Sequence, residues 1–257
     1  MALVGRAPHA LSKAQPRMES PSPELLVVLP VYNEQASVRK VAMEFFEEIE
    51  NWTERFVFLA LDDGSTDNTP AVLERLRTQL GPRFEILRHP NRGHGQTCLA
   101  GYHAAAERGI PLVLQIDSDG QCDPQYFFRF WRLRDKADVI YGLRTKRDDG
   151  FRRVIASMVL RVFLLVGFRV VCLDANVPYR LMKTDKITPF VNRIGPDFNL
   201  ANIGLAVALK RAAGIVHAHV PIRFRERYGG EPSVKLSLFG RKAVELFRNI
   251  RQMLAAG

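Results

Sequence analysis

Three times in the first half of this chain a short apolar run gives way to a polar loop and then to apolar residues at helical spacing, and a fourth apolar run ends in a polar loop. Leu25-Leu26-Val27-Val28-Leu29, ended by Pro30, has the unbroken apolarity of a strand buried on both faces. From Val38 to Ile49, residues Val38, Val41, Phe45 and Ile49 share one helical face. The pattern repeats with a strand over Phe56–Leu61, a helix over Thr69–Leu80, a strand over Phe84–Leu87, a helix over Thr97–Arg108 and a strand over Pro111–Ile116. Such alternation predicts an α/β fold, a mostly parallel sheet flanked by helices. Ligands bind such sheets at the carboxyl ends of the strands. Four polar loops fall there: Tyr32-Asn33-Glu34, Asp62-Asp63-Gly64-Ser65, Asn91 to Gly95, and Asp117-Ser118-Asp119.

The second half is less regular. Val139–Gly142 reads as a strand, Arg153–Val171 as a long apolar helix, Asn199–Ala213 as a helix and Gly214–Phe224 as a strand. Tyr228–Pro232 reads as a flexible loop, and the basic stretch Lys235–Met253 as a final helix. Residues 1–23, with Pro8, Pro16, Pro21 and Pro23, read as a mobile tail. Residues 24–257 then form a single domain, with 24–123 and 124–257 as its halves; 257 residues at 47% hydrophobic are enough for one large core.

A net charge of +10 and a pI near 9.8 favour anionic partners: nucleotides, phospholipid headgroups or phosphorylated lipids. The basic residues show neither aromatic interleaving nor a recognition motif, which argues against nucleic acid. Cys98, Cys122 and Cys172 form no CxxC pair, so a disulfide framework or thiolate metal site is not expected, and a reducing compartment fits. The stretch Val154–Val171 is interrupted by Arg161 and Arg169 and falls short of a membrane span, and the N-terminus offers no secretory signal. These readings put the chain in the cytoplasm, peripheral to a membrane face.

Asp117-Ser118-Asp119-Gly120-Gln121 carries the sharpest chemistry. Two carboxylates at i and i+2 after an apolar strand can converge on a hard cation, Mg²⁺ or Mn²⁺, which bridges carboxylates to substrate phosphates. The Gln121 amide oxygen offers a third ligand. Asp62 and Asp63 can accept hydrogen bonds from a nucleobase edge, while Asp67 is placed to cap the helix that starts near Thr69. Tyr32, after Pro30, can pack on a base or ribose, and Glu34 can bond ribose hydroxyls. Asn91, Gly93 and Gly95 punctuate a basic loop at a helix N-terminus, a place suited to base, ribose or phosphate. Taken singly, each motif is also an ordinary turn.

Together, "LPVYNE", "LDDGSTDNT", "NRGHGQT" and "QIDSDGQCDP" resemble the nucleotide-sugar half of the family 2, GT-A-fold inverting glycosyltransferases over Glu24–Asp123. The resemblance implies a Rossmann-like GT-A domain with an acceptor loop and interfacial helices after it, a nucleotide diphosphate sugar donor (UDP- or GDP-linked), Mg²⁺ or Mn²⁺, and inversion at the anomeric carbon. The second half is most similar to the dolichol-phosphate mannose synthase branch, whose acceptor is a polyprenyl phosphate; a separate membrane subunit is a further candidate partner of the chain. That branch's D-x-D-x-Q metal motif matches Asp117, Asp119 and Gln121. Its acceptor-side residues match Arg144, Arg153 and Ser157, then Arg227 after Val220-Pro221-Ile222, and with small insertions Ser233 and Lys235. Asp174, Tyr179 and Arg180 resemble the element that backs the site.

Two positions depart from the pattern. Asn202 and Leu205 stand where many members carry an acidic general base, and Cys122 stands where His is frequent. A phosphate acceptor is already an anionic nucleophile and needs no base. Independently of the resemblance, Arg153, Ser157 and Arg161 fall four apart on one helical stripe, suited to an anion or to a membrane interface. Three other readings remain at this point: a glycan or protein hydroxyl as acceptor, a nucleotidyltransferase, and a non-catalytic nucleotide- or nucleic-acid-binding module.

Overall fold

The structure is a computed structural model that describes residues 22–147, 151–196, 198–229 and 239–255, giving only the backbone path at 146–147, 151–157 and 239–242. The chain runs β1 (Leu25–Val31), α1 (Val38–Glu50), β2 (Phe56–Asp62), α2 (Thr69–Leu80), β3 (Phe84–Arg88), α3 (His94–Glu107) and β4 (Leu112–Gln115). There follow α4 (Phe127–Leu133), β5 (Val139–Arg147), α5 (Phe151–Phe168), β6 (Arg180–Lys183), α6 (Thr184–Val191), α7 (Ala201–Arg211), β7 (His217–Phe224) and α8 (Phe239–Ala255).

The strands form one seven-stranded sheet in the order β3-β2-β1-β4-β6-β5-β7. Strands β1 to β4 pair in parallel, β6 runs antiparallel to both β4 and β5, and β5 and β7 are parallel again. One reversed strand therefore lets six carboxyl ends point to a single edge. Every residue of β1 and β2 is buried, as the unbroken apolar runs demand. The core is rich in rings: Phe130 stacks on Tyr179 at 4.4 Å, Phe45 meets Tyr179 edge-on at 5.6 Å, and Phe58 lies between Phe46, Phe56 and Phe84. Each such ring withdrawn from water stabilises the fold by about 1.5–3 kcal/mol.

The first half follows the sequence reading closely, with one revision. Helix α3 begins at His94, three residues before the expected start, because Gly93 (φ +86°) serves as its N-cap and its carbonyl accepts from Thr97 N. In the second half, β5 extends five residues past Gly142, and α4, β6 and α6 were not anticipated. Strand β6 has four residues and opens on a fully buried arginine, so it gives no apolar run to read. Arg180 donates to the carbonyls of Val177 (3.0 Å), Ala175 and Asn202 (both 3.4 Å). Its guanidinium thereby fastens the segment before β6 to the start of α7.

Candidate active site

At the carboxyl edge the polar loops are laced to one another. Asn33 takes a left-handed conformation (φ +53°), and its Oδ1 accepts from Thr66 N at 2.8 Å while its own N donates to Ser65 Oγ at 3.0 Å. Glu34 N donates to Thr69 Oγ1 (2.9 Å), and Asn68 N to Gln35 Oε1 (2.9 Å). Asp67 accepts from Thr69 N at 2.9 Å and from Gln35 N at 3.3 Å, but the residue at the N-cap of α2 is Asn68, so Asp67 braces the helix start from one position earlier than expected of a cap. Asp63 joins the second loop to the third, its two oxygens accepting from Arg92 N (2.7 Å) and Gly93 N (3.0 Å). Ser118 Oγ donates to Pro30 O at 2.8 Å and brings in the fourth.

Close packing explains two of the glycines. A Cβ on Gly64, at φ +73°, would lie 2.9 Å from Asn91 N, and one on Gly95 would lie 2.3 Å from the carbonyl oxygen of Asn199. The orientations of the first-half residues differ. Tyr32 is 45% exposed, and Asn91 in the third loop is exposed as well. Asp62 is 1% exposed and turns inward, where Oδ1 accepts from Ser65 N (2.8 Å) and Oδ2 lies 3.2 Å from Arg88 Nε. On that side Asp62 lines a crevice of about 320 Å³ between α2 and β3, together with Leu73, Arg77, Ile86 and Arg88.

The loop after β4 holds two carboxylates with too little compensating charge. Asp117 Oδ1 is buried without a hydrogen-bond partner, and His94 Nε2 lies 3.6 Å from it. Asp119 Oδ1 accepts from Gln121 N (3.0 Å), and Oδ2 lies 3.9 Å from Arg227 Nη1. Burial, and then the Asp117 charge, push the Asp119 pKa up to about 6. An orphaned carboxylate oxygen beside a second carboxylate that resists ionisation fits a hard cation. Among the described residues no three His, Cys, Asp or Glu side chains form a cage by themselves. Asp117, Asp119 and Gln121 would therefore hold a cation jointly with substrate phosphates.

The acceptor-side residues reach the same edge from β5 and from the segment after β7. Arg144 Nε and Nη2 donate to the two oxygens of Asp174, and the guanidinium stands 5.0 Å from the Phe224 ring. Residues 225–229 form a strap across the β4 loop: Arg225 N donates to Gln121 O and Tyr228 N to Asp119 O, both at 3.0 Å. The Tyr228 ring covers Gly120 (φ +84°), where a Cβ would come within 2.3 Å of it. Arg227, between them, pairs with Glu34, whose other oxygen accepts from Ser37 Oγ at 2.5 Å. Glu34 thus ties the loop after β1 to the strap.

The side chains of Arg153 and Ser157, and residues Ser233 and Lys235 altogether, lie outside what the structure describes. Neither occupant of the expected base position faces the open edge. Asn202 is buried, accepting from Tyr102 Oη at 2.9 Å and lying 3.7 Å from Cys98 Sγ; Leu205 is fully buried. Sequence reasoning did not single out Arg225, Tyr228, His94 or Glu44. The first two flank Arg227 and were within reach of that reading. His94 stood inside a motif, but only the structure sets it beside Asp117.

The profile of glycosyl transferase family 2 matches residues 26–183, which include six of the seven strands and the loops that carry Glu34, Asp63, Asp117 and Asp119. The chain belongs to glycosyl transferase family 2. It is 26% identical over 230 residues to the uncharacterized glycosyltransferase YkoT of Bacillus subtilis, covering 85% of this chain and 65% of that one. It is 27% identical over 146 residues to the undecaprenyl-phosphate 4-deoxy-4-formamido-L-arabinose transferase of Serratia proteamaculans, covering 56% and 44%. The chain thus spans between two fifths and two thirds of these relatives' lengths. Its fold is that of glucosyl-3-phosphoglycerate synthase from Mycobacterium tuberculosis, solved with Mn²⁺, uridine diphosphate and phosphoglyceric acid: TM-score 0.65, 16% identity, 90% of this chain and 78% of that one. This family 2 chain therefore has the GT-A architecture.

Proposed function

We propose that this family 2 glycosyltransferase, working as one folded unit, moves a sugar from a nucleoside diphosphate donor to a polyprenyl phosphate with inversion. The observation that carries the reading is Arg227, 3.9 Å from Asp119, supported by Arg144 near the carboxyl end of β5 and by the lack of a carboxylate at the expected base position on α7. Two guanidinium groups suit an anionic nucleophile, and a phosphate oxygen needs no proton removed before it attacks. A relative that acts on undecaprenyl phosphate supports the same class of acceptor.

In this reading Pro30, Tyr32, Glu34, Asp62, Asp63, Asn91, Gly93 and Gly95 shape the nucleotide's seat. Asp117, Asp119 and Gln121 hold Mg²⁺ or Mn²⁺. A cation held by these residues would supply positive charge to the diphosphate leaving group. Arg144, Arg153, Ser157, Arg227, Ser233 and Lys235 receive the acceptor phosphate and orient one of its oxygens on the face opposite the leaving group. The strap keeps water from the anomeric carbon.

Among the described residues no helix is long and apolar enough to cross a membrane. Helix α5 nevertheless exposes Met158, Val159, Val162, Leu165 and Val166 beside Arg161, a face suited to lying on an anionic lipid surface where the acceptor resides. The deciding experiment offers labelled UDP-glucose, UDP-N-acetylglucosamine and GDP-mannose with Mn²⁺ or Mg²⁺ and a polyprenyl phosphate. Label is expected in the organic phase, and its loss is expected in Asp119→Ala. Label transferred only to water-soluble hydroxyl acceptors would overturn the lipid phosphate.

A further inference from the structure

Glu44 lies on α1, 181 residues before Arg225 in sequence, yet both flanking side chains of the strap end on its carboxylate. Arg225 Nη2 donates to Oε2 at 2.8 Å, and Tyr228 Oη lies 3.1 Å from each oxygen. Lys40, one turn earlier on the same helix, holds its ammonium 3.9 Å from the centre of the Tyr228 ring and 3.8 Å from Glu44. The Arg225 guanidinium reaches on to the carbonyls of Gly120 (3.2 Å) and Cys122 (3.1 Å). Through these contacts α1, the strap and the carboxylate loop form one cross-braced unit. Arg227 is suspended between two anchored neighbours and faces Glu34 and Asp119.

We propose that Glu44 is a positioning residue, which pins the strap to the carboxylate loop so that Arg227 is presented to the reacting phosphates in a fixed register. The assignment of those phosphates rests on the function proposed above; the pinning itself does not. A free five-residue strap would lose backbone freedom each time it closed, whereas one held in advance by a charged hydrogen-bonded contact has already lost it. Glu44 touches no substrate in this scheme. It acts through Arg225 and Tyr228, and the main-chain bonds to Gln121 O and Asp119 O carry the effect to the carboxylate loop.

The test compares amide hydrogen exchange across residues 225–229 in the full chain and in Glu44→Ala and Glu44→Gln, with no ligand added. Glu44→Ala is expected to raise exchange at Arg225 and Tyr228 roughly tenfold or more, leaving the amides of β1 and β2 protected. Glu44→Gln, whose amide oxygen still accepts, should restore most of the protection. Tyr228→Phe removes a single hydroxyl from the contact and should give a smaller rise, which serves if Glu44→Ala fails to fold. Unchanged exchange in both Glu44→Ala and Tyr228→Phe overturns the pinning. With donor and polyprenyl phosphate present, Glu44→Ala should raise the acceptor KM and the share of donor lost to water, with donor KM little changed. A variant with loosened amides but unaltered acceptor KM and water loss would overturn the positioning role. If the wild-type chain transfers nothing to a polyprenyl phosphate while the exchange results hold, the proposed acceptor fails and the pinning stands.

Discussion

The two halves of the active edge are held by different kinds of bond. On the donor side the loops after β1, β2, β3 and β4 are tied mainly by main-chain groups and short polar side chains, as with Asn33 to Thr66, Asp63 to Gly93 and Ser118 to Pro30. On the side assigned to the acceptor in the proposed function, three described arginines are held by carboxylates: Arg144 by Asp174, Arg225 by Glu44, Arg227 by Glu34. The first arrangement has little freedom once the sheet forms. The second can exchange partners, because a guanidinium that now faces a protein carboxylate can turn to a phosphate of the same charge. In the function proposed above, the first set would be a preformed nucleotide seat and the second an acceptor site completed by its ligands.

Substitutions can break that comparison. The largest effect is expected from Asp119→Ala, which should lower transfer by roughly a thousandfold or more without lowering the melting temperature, since it removes a poorly solvated carboxylate. Initial rates and thermal melts check both halves of the claim. Arg144→Ala should raise the acceptor KM by roughly 10–100-fold, the worth of a charged hydrogen bond, with binding of the nucleoside diphosphate unaltered by calorimetry. If both ligands weaken equally, the separation of donor and acceptor sides is wrong. Gly95→Ala sets a Cβ against the Asn199 carbonyl and should cost about 1–3 kcal/mol in urea unfolding.

Acidity gives a finer test. The folded pKa of Asp119, about 6, lies above its ordinary value of 3.8, so folding favours the protonated acid. Its stabilising contribution is complete below pH 3.8 and is lost as pH rises through 6. A cation needs the ionised form. Mn²⁺ affinity should therefore fall below pH 6 by up to about tenfold per pH unit, and the Mn²⁺-dependent rise in melting temperature should be larger at pH 7.5 than at pH 5. The smallest effect is expected from Asp67→Ala, about 1 kcal/mol for the lost brace at the start of α2, read from the unfolding midpoint.

The same contrast decides what the sequence made legible. Strands buried on both faces announce themselves as unbroken apolar runs, so β1, β2 and β4 and the loops at their ends could be read in advance. The carboxylate pair Asp117 and Asp119 was visible because both members lie within three residues. Strand β6 was not, because its four residues include a buried arginine satisfied by carbonyls. The contacts of Glu44 with Arg225 and Tyr228 were invisible for another reason. Local periodicity placed Glu44 on a helix, but nothing local links it to a segment 181 residues away. Likewise Asp62 and Glu34 were recognisable as loop carboxylates, while the side to which each turns depends on Arg88 and Arg227 from elsewhere in the chain.

The reversed strand β6 bears on how the chain comes together as it is made. In space it lies between β4 and β5, but in sequence it follows both. Strands β1 to β4 can pair as soon as they emerge, yet the outer edge of β4, Leu112–Gln115, has no neighbour until Arg180–Lys183 leaves the ribosome. At roughly 5–20 residues per second, that leaves an apolar strand edge open to other chains for several seconds. Strand β5, already synthesised, must also wait for β6 before it can join the sheet. Crowded translation should thus tax this protein most over the interval between its fourth and sixth strands, and a chain truncated there would present an unguarded edge prone to self-association.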